Sequence, residues 1–492
     1  MIELLPIGAI FWAAFPFFVG FSIYLLPQLS RALTLVVTFS SLIFAGLIFW
    51  LDSPQTFQLL DSFGVTLTVD TLGGFFILTN ALVTLAVLLY CWRSDKVSFF
   101  YTQLILLHGS VNAAFLCADF ISLYVALEVL SIASFLLVTY SRSPRSIWVG
   151  LRYLFISNTA MLFYLVGTAL VFKATHSFQF QGLIESPPEA TALIFLGLLA
   201  KGGIFVSGLW LPQTHSQAES PVSAMLSGVV VKTAVLAMVR CALLAPALDP
   251  VLRLAGVATA LLGVAAGMVE RDTKRMLALS TVSQLGFVLA VPATAGAYAL
   301  THGLAKGALF LVAGALPSRD FKVLQEKPIA LSLWAFGTIA ALSVSGMPLI
   351  GGFVTKALVS KSLPLWQGVA LNVAAVGTAA LCAKLIFLPH SAAVTAPGKV
   401  KNLLPSMVVL LGGLMVANGV NPSAYSSLDT LVKAVGIVGG GWLLYWIIIR
   451  RVTLKLPWGV ERLEHLTGTM SLSAIAIFLL VLYLMPLGGV TP

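Results

Sequence analysis

Long apolar runs recur along almost the whole chain, and short polar segments separate them. Most runs hold about 18 to 24 residues, the length that a helix needs to cross a bilayer. They lack the ten-residue alternation of a transmembrane barrel strand, and a helix satisfies its own backbone hydrogen bonds in lipid. The pattern predicts an all-α polytopic membrane protein with about 14 to 16 transmembrane helices. The candidate spans lie at 6–26, 32–51, 71–92, 99–117, 120–140, 150–172, 190–210, 222–246, 252–269, 276–294, 297–316, 329–360, 366–388, 403–420, 432–449 and 470–487.

Composition excludes a soluble globule. Hydrophobic residues make up 59% of the chain and charged residues only 9%, with a mean hydropathy of +1.01. The net charge of +10 does not indicate nucleic-acid binding, because the excess is spread over the connections between spans. We therefore expect an integral membrane protein whose surroundings are the lipid bilayer.

The distribution of basic residues predicts the orientation. Numbered from the N-terminus, the odd connections hold 18 of the 28 lysines and arginines and the even ones hold 5. Basic residues accumulate on the cytoplasmic side, so the odd connections are assigned to the cytoplasm and both termini to the opposite side. The first run has an acidic start at Glu3 and no convincing cleavage site, so we expect it to be retained as a helix.

One segment departs from the helical pattern. Residues 56–70 alternate β-branched and other side chains around Gly64, which predicts a short hairpin on the non-cytoplasmic side. We assign it a structural role.

Charged residues inside the spans are the candidate functional groups, because a charge at membrane depth is costly and marks an ion pathway by default. Lys201 and Lys232 flank Trp210, Leu211 and Pro212 in the stretch from Ala200 to Lys232. Glu128 is the acidic residue that lies in the middle of a span. It either pairs and exchanges charge with Lys201, or it is a neutral carboxyl group hydrogen-bonded to a neighbouring helix.

The second half repeats this plan. Pro348 and a glycine pair precede Lys356, which predicts a helix that is broken like the one around Lys201. The two lysines are 155 residues apart in the sequence, and the odd offset favours two five-helix repeats inserted with opposite topology. We divide the chain into N-terminal helices with the hairpin (1–96), a first five-helix repeat (97–246), a second repeat (250–390) and C-terminal helices (400–492).

His302 and Lys306 lie between these lysines at positions i and i+4, on one helix face. Both side chains can change protonation, which favours a hydrated proton relay over a purely structural histidine.

His108 stands alone on an apolar face, and we interpret it as a core histidine. Lys384 is near the end of its span, where its ammonium can snorkel to the membrane surface. His215, Lys384 and Gln284 are kept as accessory candidates.

Several motifs occur in the order expected of one family. They are L-Y-V-A-L-E-V-L around Glu128, A-K-G-G at Lys201, W-L-P-Q-T-H-S-Q-A-E-S-P-V-S-A-M-L-S-G-V-V-V-K ending at Lys232, E-R-D-T-K-R-M-L-A-L-S-T-V-S-Q-L-G, and G-G-F-V-T-K at Lys356. Over about residues 60 to 420, the chain resembles the antiporter-like membrane subunits shared by respiratory complex I and the Mrp sodium/proton antiporters. The resemblance implies a proton path in which Glu128 and Lys201 form a coupled pair and Lys232 is a bridge. It also implies that His302 and Lys306 are the central relay and that Lys356 is the gate to the far side.

The local sequence after Glu128, the run at 151–158 and a lysine at 356 look most like the D-type Mrp protein. Gln284 departs from many respiratory relatives, which carry histidine there, and two extra spans follow residue 430. The function expected is therefore that of a subunit in a monovalent cation (Na⁺)/proton antiporter. The alternative is a non-redox proton-pumping subunit of an NAD(P)H or ferredoxin:quinone oxidoreductase, and a third hypothesis is a structural subunit with vestigial charges.

This resemblance implies no cofactor and no metal site, and the four isolated cysteines favour neither disulfides nor iron-sulfur ligation. The expected partners are other membrane subunits of one complex, with protons and Na⁺ as the transported ions and no nucleic acid. The expected location is a bacterial inner membrane or a thylakoid membrane.

Overall fold

The computed structural model describes residues 5–51, 53–60, 64–394, 400–419, 422–425 and 427–451, together with positions 475, 476, 479 and 483. The described part is a bundle of helices with two small two-stranded sheets. The helices are α1 Leu5–Leu25, α2 Ser30–Leu51, α3 Thr71–Cys91, α4 Ser98–Leu116, α5 Phe120–Val138, α6 Pro144–Thr175, α7 Pro188–Gly202, α8 Trp210–Gln217, α9 Ser220–Met225, α10 Val231–Leu244, α11 Asp249–Val269, α12 Thr273–Ala290, α13 Ala295–Ala315, α14 Phe321–Glu326, α15 Leu331–Ser345, α16 Gly351–Lys361, α17 Leu365–Ile386, α18 Val400–Gly419 and α19 Leu428–Leu444. The strands are β1 Gln55–Leu60, β2 Gly64–Val69, β3 Ile329–Ala330 and β4 His390–Ser391.

Membrane-crossing length is common among these helices. Within the described residues, 12 helical stretches are long and apolar enough to cross a membrane, and two of these stretches join α7 with α8 and α9 with α10. The count is 13 if α12 and α13, which bend by 111° at Val291, together form one further span. The all-α membrane fold is thus confirmed, and the protein is an integral membrane protein. The predicted span at 470–487 lies outside the described residues apart from four isolated positions.

Glycines allow the helices to touch backbone to backbone. A Cβ atom added to Gly286 of α12 would lie 2.3 Å from the carbonyl oxygen of Gly256 on α11, and one on Gly263 would lie 2.4 Å from the amide nitrogen of Ser283. Small residues at such crossings are how membrane helices gain packing contacts when lipid supplies no hydrophobic driving force.

The predicted hairpin is present. Strands β1 and β2 pair antiparallel, with Thr56 opposite Thr68. The carboxylate of Asp119 accepts a hydrogen bond from the Thr66 amide at 2.7 Å, which fastens the hairpin to the start of α5. Just after the hairpin, Asp70 caps α3 and forms a two-point ion pair with Arg240 at 2.7 and 2.9 Å. These contacts support the structural role expected for this segment.

Both predicted helix breaks are present, and a glycine in a left-handed conformation makes each of them. Gly203, with φ of +68°, ends α7, and Gly346, with φ of +85°, ends α15. Side chains with a Cβ rarely adopt this backbone, so glycine is the residue suited to end these half-helices in the bundle. The lysines sit differently, however, because Lys201 precedes its glycine on the first half-helix and Lys356 follows its glycine on the second. An offset of 155 residues therefore aligns the lysines but not the breaks.

Candidate functional site

The break after α7 places Lys201 against α5 and α6. Its side chain is buried, and its Nζ donates to the hydroxyl oxygens of Ser131 and, at 2.6 Å, of Ser157. These hydroxyls also lie within 3.2 Å of each other. The ammonium is thus held by neutral acceptors in the last turn of α7, just before the break at Gly203.

Glu128 is near this site but does not form the direct ion pair that the sequence suggested. Ser131 follows one turn later on α5 and takes the contact with Lys201, while the buried Oε1 of Glu128 has no hydrogen-bond partner. The physical reason for the correction is that Ser131 of α5 and Ser157 of α6 supply the hydroxyl ligands of the Lys201 ammonium, which therefore does not need a direct contact with the carboxylate.

Lys232 lies in a span that is buried on all sides. Its side chain is 0% exposed, and its Nζ folds back to the carbonyl oxygens of Ser227 at 3.0 Å and Gly228 at 2.6 Å. These carbonyls belong to a π-helical turn, Leu226–Val230, that joins α9 to α10. Such turns are uncommon and concentrate at functional sites.

A string of polar groups, interrupted between the carbonyl and the hydroxyl of Ser227, lies between Lys232 and Lys306. Lys232 binds the carbonyl of Ser227, whose hydroxyl lies 2.7 Å from that of Thr281 on α12. Thr281 in turn donates to the Leu277 carbonyl at 2.9 Å, and Lys306 donates to the same carbonyl at 3.0 Å. Two fully buried lysines from α10 and α13 are therefore joined across α12 by polar atoms.

The two buried histidines beside this string have no hydrogen-bond partner on either ring nitrogen. His302 lies one turn before Lys306 on α13, and His215 stacks on Phe310 with ring centroids 4.6 Å apart. A buried imidazole without a partner is costly, and a site that water can enter relieves this cost. A space of about 10 Å³, roughly one water molecule, adjoins His302 and also Lys356.

Lys356 lies on α16, behind the second break. Its Nζ donates to the Ser345 carbonyl at 3.3 Å and lies 5.3 Å from the ring centroid of Phe287. Within the described residues no carboxylate forms an ion pair with it or with the other lysines of the series. The bundle therefore holds, in chain order, Lys201, Lys232, Lys306 and Lys356 with neutral ligands only.

The accessory candidates Lys384 and Gln284 have different surroundings. Lys384 donates to the carbonyls of Gly267, Met268 and Glu270, at 3.3, 2.7 and 2.9 Å, and so caps the C-terminal end of α11 rather than joining the lysine series. Gln284 is fixed between Thr378 and Tyr298 and lines the space that His302 and Lys356 share. His108 is a satisfied core histidine, as expected, with hydroxyls of Ser41 at 2.8 Å and Thr84 at 2.9 Å.

Lys274 was missed by the sequence reasoning, which counted it with the cytoplasmic connections. It is buried in the first turn of α12, and its Nζ donates to the Ala218 carbonyl at 2.8 Å. The available signal was Asp272, which caps α12 by accepting from the Arg275 amide. A helix that begins there carries Lys274 into the bundle.

No set of metal ligands accompanies these groups in the part of the chain that the structure describes. There, His, Cys, Asp and Glu form no cluster of three or more that could hold an ion, and the four cysteines are buried and separate.

Proteins of similar sequence are named as components of oxidoreductases, antiporters and a hydrogenase. The chain is 32% identical over 330 residues to NADH-quinone oxidoreductase subunit N of Desulforudis audaxviator, covering 60% of this chain and 65% of that protein. It is 29% identical over 329 residues to the D component of the Na(+)/H(+) antiporter of Alkalihalophilus pseudofirmus, covering 60% and 66%. Each alignment therefore takes in slightly less than two thirds of the relative.

The fold extends further than these alignments. It is similar to a chain of the membrane-bound sulfane sulfur reductase, an archaeal respiratory membrane complex, with a TM-score of 0.75 and 21% identity over 88% of this chain and 97% of that one. Residues 117–382, more than half of the chain, match the family described as NADH:quinone oxidoreductase/Mrp antiporter, TM. The chain belongs to the NADH:quinone oxidoreductase/Mrp antiporter transmembrane family.

Proposed function

We propose that this chain is a proton-translocating subunit of a multi-subunit monovalent cation/proton antiporter. The observation that carries the proposal is the series of lysines held inside the bundle by hydroxyl and carbonyl oxygens, with polar groups of Ser227, Thr281 and Leu277 between Lys232 and Lys306. Burial disfavours the charged form of an amine in general, and a neutral ligand set does little to oppose this. Such lysines are suited to gain and lose protons in turn.

The proton path follows the order of these groups. Glu128 and Lys201 exchange charge in the first repeat, 97–246. Lys232 passes the proton towards Lys306 and His302, which lie in the second repeat, 250–390. Lys356, on the far side of the second break, exchanges the proton with solution. His215, which stacks on Phe310 one turn after Lys306, and Lys274, which donates to the Ala218 carbonyl, supply a side entry to this path.

One specific observation favours a second candidate. The relative with 32% identity is named as a subunit of an NADH-quinone oxidoreductase. In that reading the same residues pump protons, and the electron-transfer chemistry lies on other chains of an NAD(P)H or ferredoxin:quinone oxidoreductase.

Purification of the native complex distinguishes the two. As an antiporter it should lack flavin and iron-sulfur absorbance, and in proteoliposomes an imposed Na⁺ gradient should drive proton movement without a quinone. A preparation with those absorbances, in which proton movement requires NAD(P)H or ferredoxin and quinone, would replace the antiporter with the redox-driven pump.

The partners in this proposal are other membrane subunits of the same complex, and the transported ions are protons and Na⁺. Replacing Na⁺ by K⁺ or Li⁺ in the same proteoliposomes identifies the cation that is exchanged. The charge bias supports a cytoplasmic location of the odd connections and a non-cytoplasmic location of both termini, in a bacterial inner membrane or a thylakoid membrane.

A pair of cysteine variants tests this orientation. Ser143 precedes α6 and Ser362 follows α16, and both are exposed. We expect Ser143→Cys to react with a membrane-impermeant maleimide only from the cytoplasmic side and Ser362→Cys only from the other side. Labelling of both from one side, or the opposite pattern, would show the assigned topology to be wrong.

A further inference from the structure

A second, larger cavity lies beside Lys356. It has a volume of about 260 Å³ and lies among α12, α16, α17 and α19. Lys356 and Phe287 line it, as do Asn372 of α17 and Asp429, Lys433 and Ala434 of α19. Because Lys356 also borders the water-sized space at His302, it lies between the central relay and this cavity.

The outer wall of the cavity comes from α19, which lies beyond the residues 117–382 that match the family. A Cβ atom on Gly441 would lie 2.6 Å from the Val376 carbonyl oxygen of α17, so the two helices touch through their backbones. Phe387, at the end of α17, also stacks on Tyr445 with centroids 5.8 Å apart. The wall is therefore packed firmly against the bundle.

The segment before α19 also contacts the second helix break, between α15 and α16. The hydroxyl of Tyr425 accepts from the Leu349 amide at 3.1 Å and donates to the Asn418 side chain at 2.7 Å. Leu349 has a φ of +73°, a strained value for a residue with a Cβ, so it needs support from its surroundings. The C-terminal segment thus contacts the element that carries Lys356.

The charges around the cavity are unbalanced. Lys356 and Lys361 from α16 and Lys433 from α19 line it, and Asp429 is the carboxylate among its described lining residues. Asp429 and Lys433 lie 3.5 Å apart, with side chains 76% and 67% exposed, so this pair faces the mouth. Three ammonium groups repel an incoming cation, and one carboxylate at the mouth partly offsets that repulsion.

We propose that this cavity is an aqueous vestibule, walled by α19, through which Lys356 exchanges protons with solution, and that Asp429 attracts protons to its mouth. The proposal rests on the proposed function, since it supplies the outer end of the same proton path. Asp429 acts through the field it creates and is a positioning residue for the transfer at Lys356.

Cysteine accessibility tests the vestibule without reference to transport. Ala434 lines the cavity. The next residue, Val435, does not line the cavity and is 51% exposed on the outer surface of α19. In proteoliposomes of the whole complex, we expect Ala434→Cys to gain the mass of a membrane-impermeant, anionic methanethiosulfonate reagent applied from the side of Ser362, and Val435→Cys to remain unlabelled. An unreactive Ala434→Cys, or equal labelling of both, would show that the cavity is not an aqueous vestibule.

Charge variants test Asp429. We expect Asp429→Asn to slow transport roughly threefold to tenfold at low ionic strength, with recovery as salt screens the lysines. Asp429→Glu should keep the normal rate, and Lys433→Gln should not slow transport because it removes a repelling charge. A loss that does not change with salt, an equal loss in Asp429→Glu, or no loss in Asp429→Asn would overturn the role of Asp429. If Ala434→Cys is labelled while the wild-type complex moves no protons, the vestibule stands and the proposed function fails.

Discussion

Replacing Lys232 with methionine should abolish proton transport while the complex still assembles. Methionine has similar length and no charge, so it fits a span that is buried on all sides and removes the cost of burying an ammonium. The carbonyls of Ser227 and Gly228 lose a donor, which costs about 1 to 3 kcal/mol at most for each group left unsatisfied. The proton path loses its step between the two repeats, and we expect the rate to fall about a hundredfold or more.

Lys384→Met is the matched control. Lys384 is also a buried lysine with carbonyl ligands, but these ligands are the last carbonyls of α11, outside the lysine series. Its loss should lower the melting temperature of the complex and leave the transport rate per assembled complex close to normal. Assembly is measured by size-exclusion chromatography and transport by the quenching of a pH-sensitive dye in vesicles. Normal transport in Lys232→Met, or an equal loss in both variants, would remove Lys232 from the path.

The sequence was sufficient to predict the elements whose cause is local. Apolar length defines the spans, the alternation around Gly64 defines the hairpin, and the glycines after Lys201 and the glycine pair before Lys356 indicate the broken helices. The glycine that ends α15 is Gly346, however, which the sequence pattern did not single out. Each of these depends on a few neighbouring residues and on the absence of water from the bilayer.

The contacts inside the site depend on how distant helices meet, and they could not be predicted in the same way. Nothing in the spacing of Glu128 and Lys201 indicates that Ser131 would take the direct contact. The π-helical turn that precedes Lys232, and the contact between the Ser227 and Thr281 hydroxyls, likewise result from packing between α9, α12 and α13. A charge count along the chain also treats a buried lysine and a loop lysine alike, which is why Lys274 was placed in a connection.

The repeat argument shows both the use and the limit of a sequence offset. It identified two broken helices, each with a lysine, and both are present. The offset matched the lysines, however, and the structure places them on opposite halves of their helices. Lys201 therefore meets α5 and α6 at the inner end of its half-helix, whereas Lys356 meets α12 and a cavity that opens beside α19.

The position of Lys356 allows a test of whether its side chain must release and rebind a proton or serves only as a fixed positive charge. Its ammonium has one long hydrogen bond, to Ser345, and the face of the Phe287 ring, so few contacts oppose the loss of its proton. Arginine keeps the positive charge but almost never deprotonates. We expect Lys356→Arg to block transport about as strongly as Lys356→Ala, by roughly a hundredfold. Lys322, an exposed lysine of α14, is the control, and Lys322→Arg should have no effect.

The comparison is made at matched expression in vesicles, with gradient-driven proton movement as the readout. If Lys356 relays protons, the arginine and alanine variants fail together because both lack a group that can cycle between charged and neutral forms. If Lys356 serves only as a fixed positive charge beside the vestibule, arginine rescues transport and alanine does not. Near-normal transport by Lys356→Arg would therefore remove the outer step of the proposed path, and the proton would have to leave the bundle from His302 or Lys306 by another route.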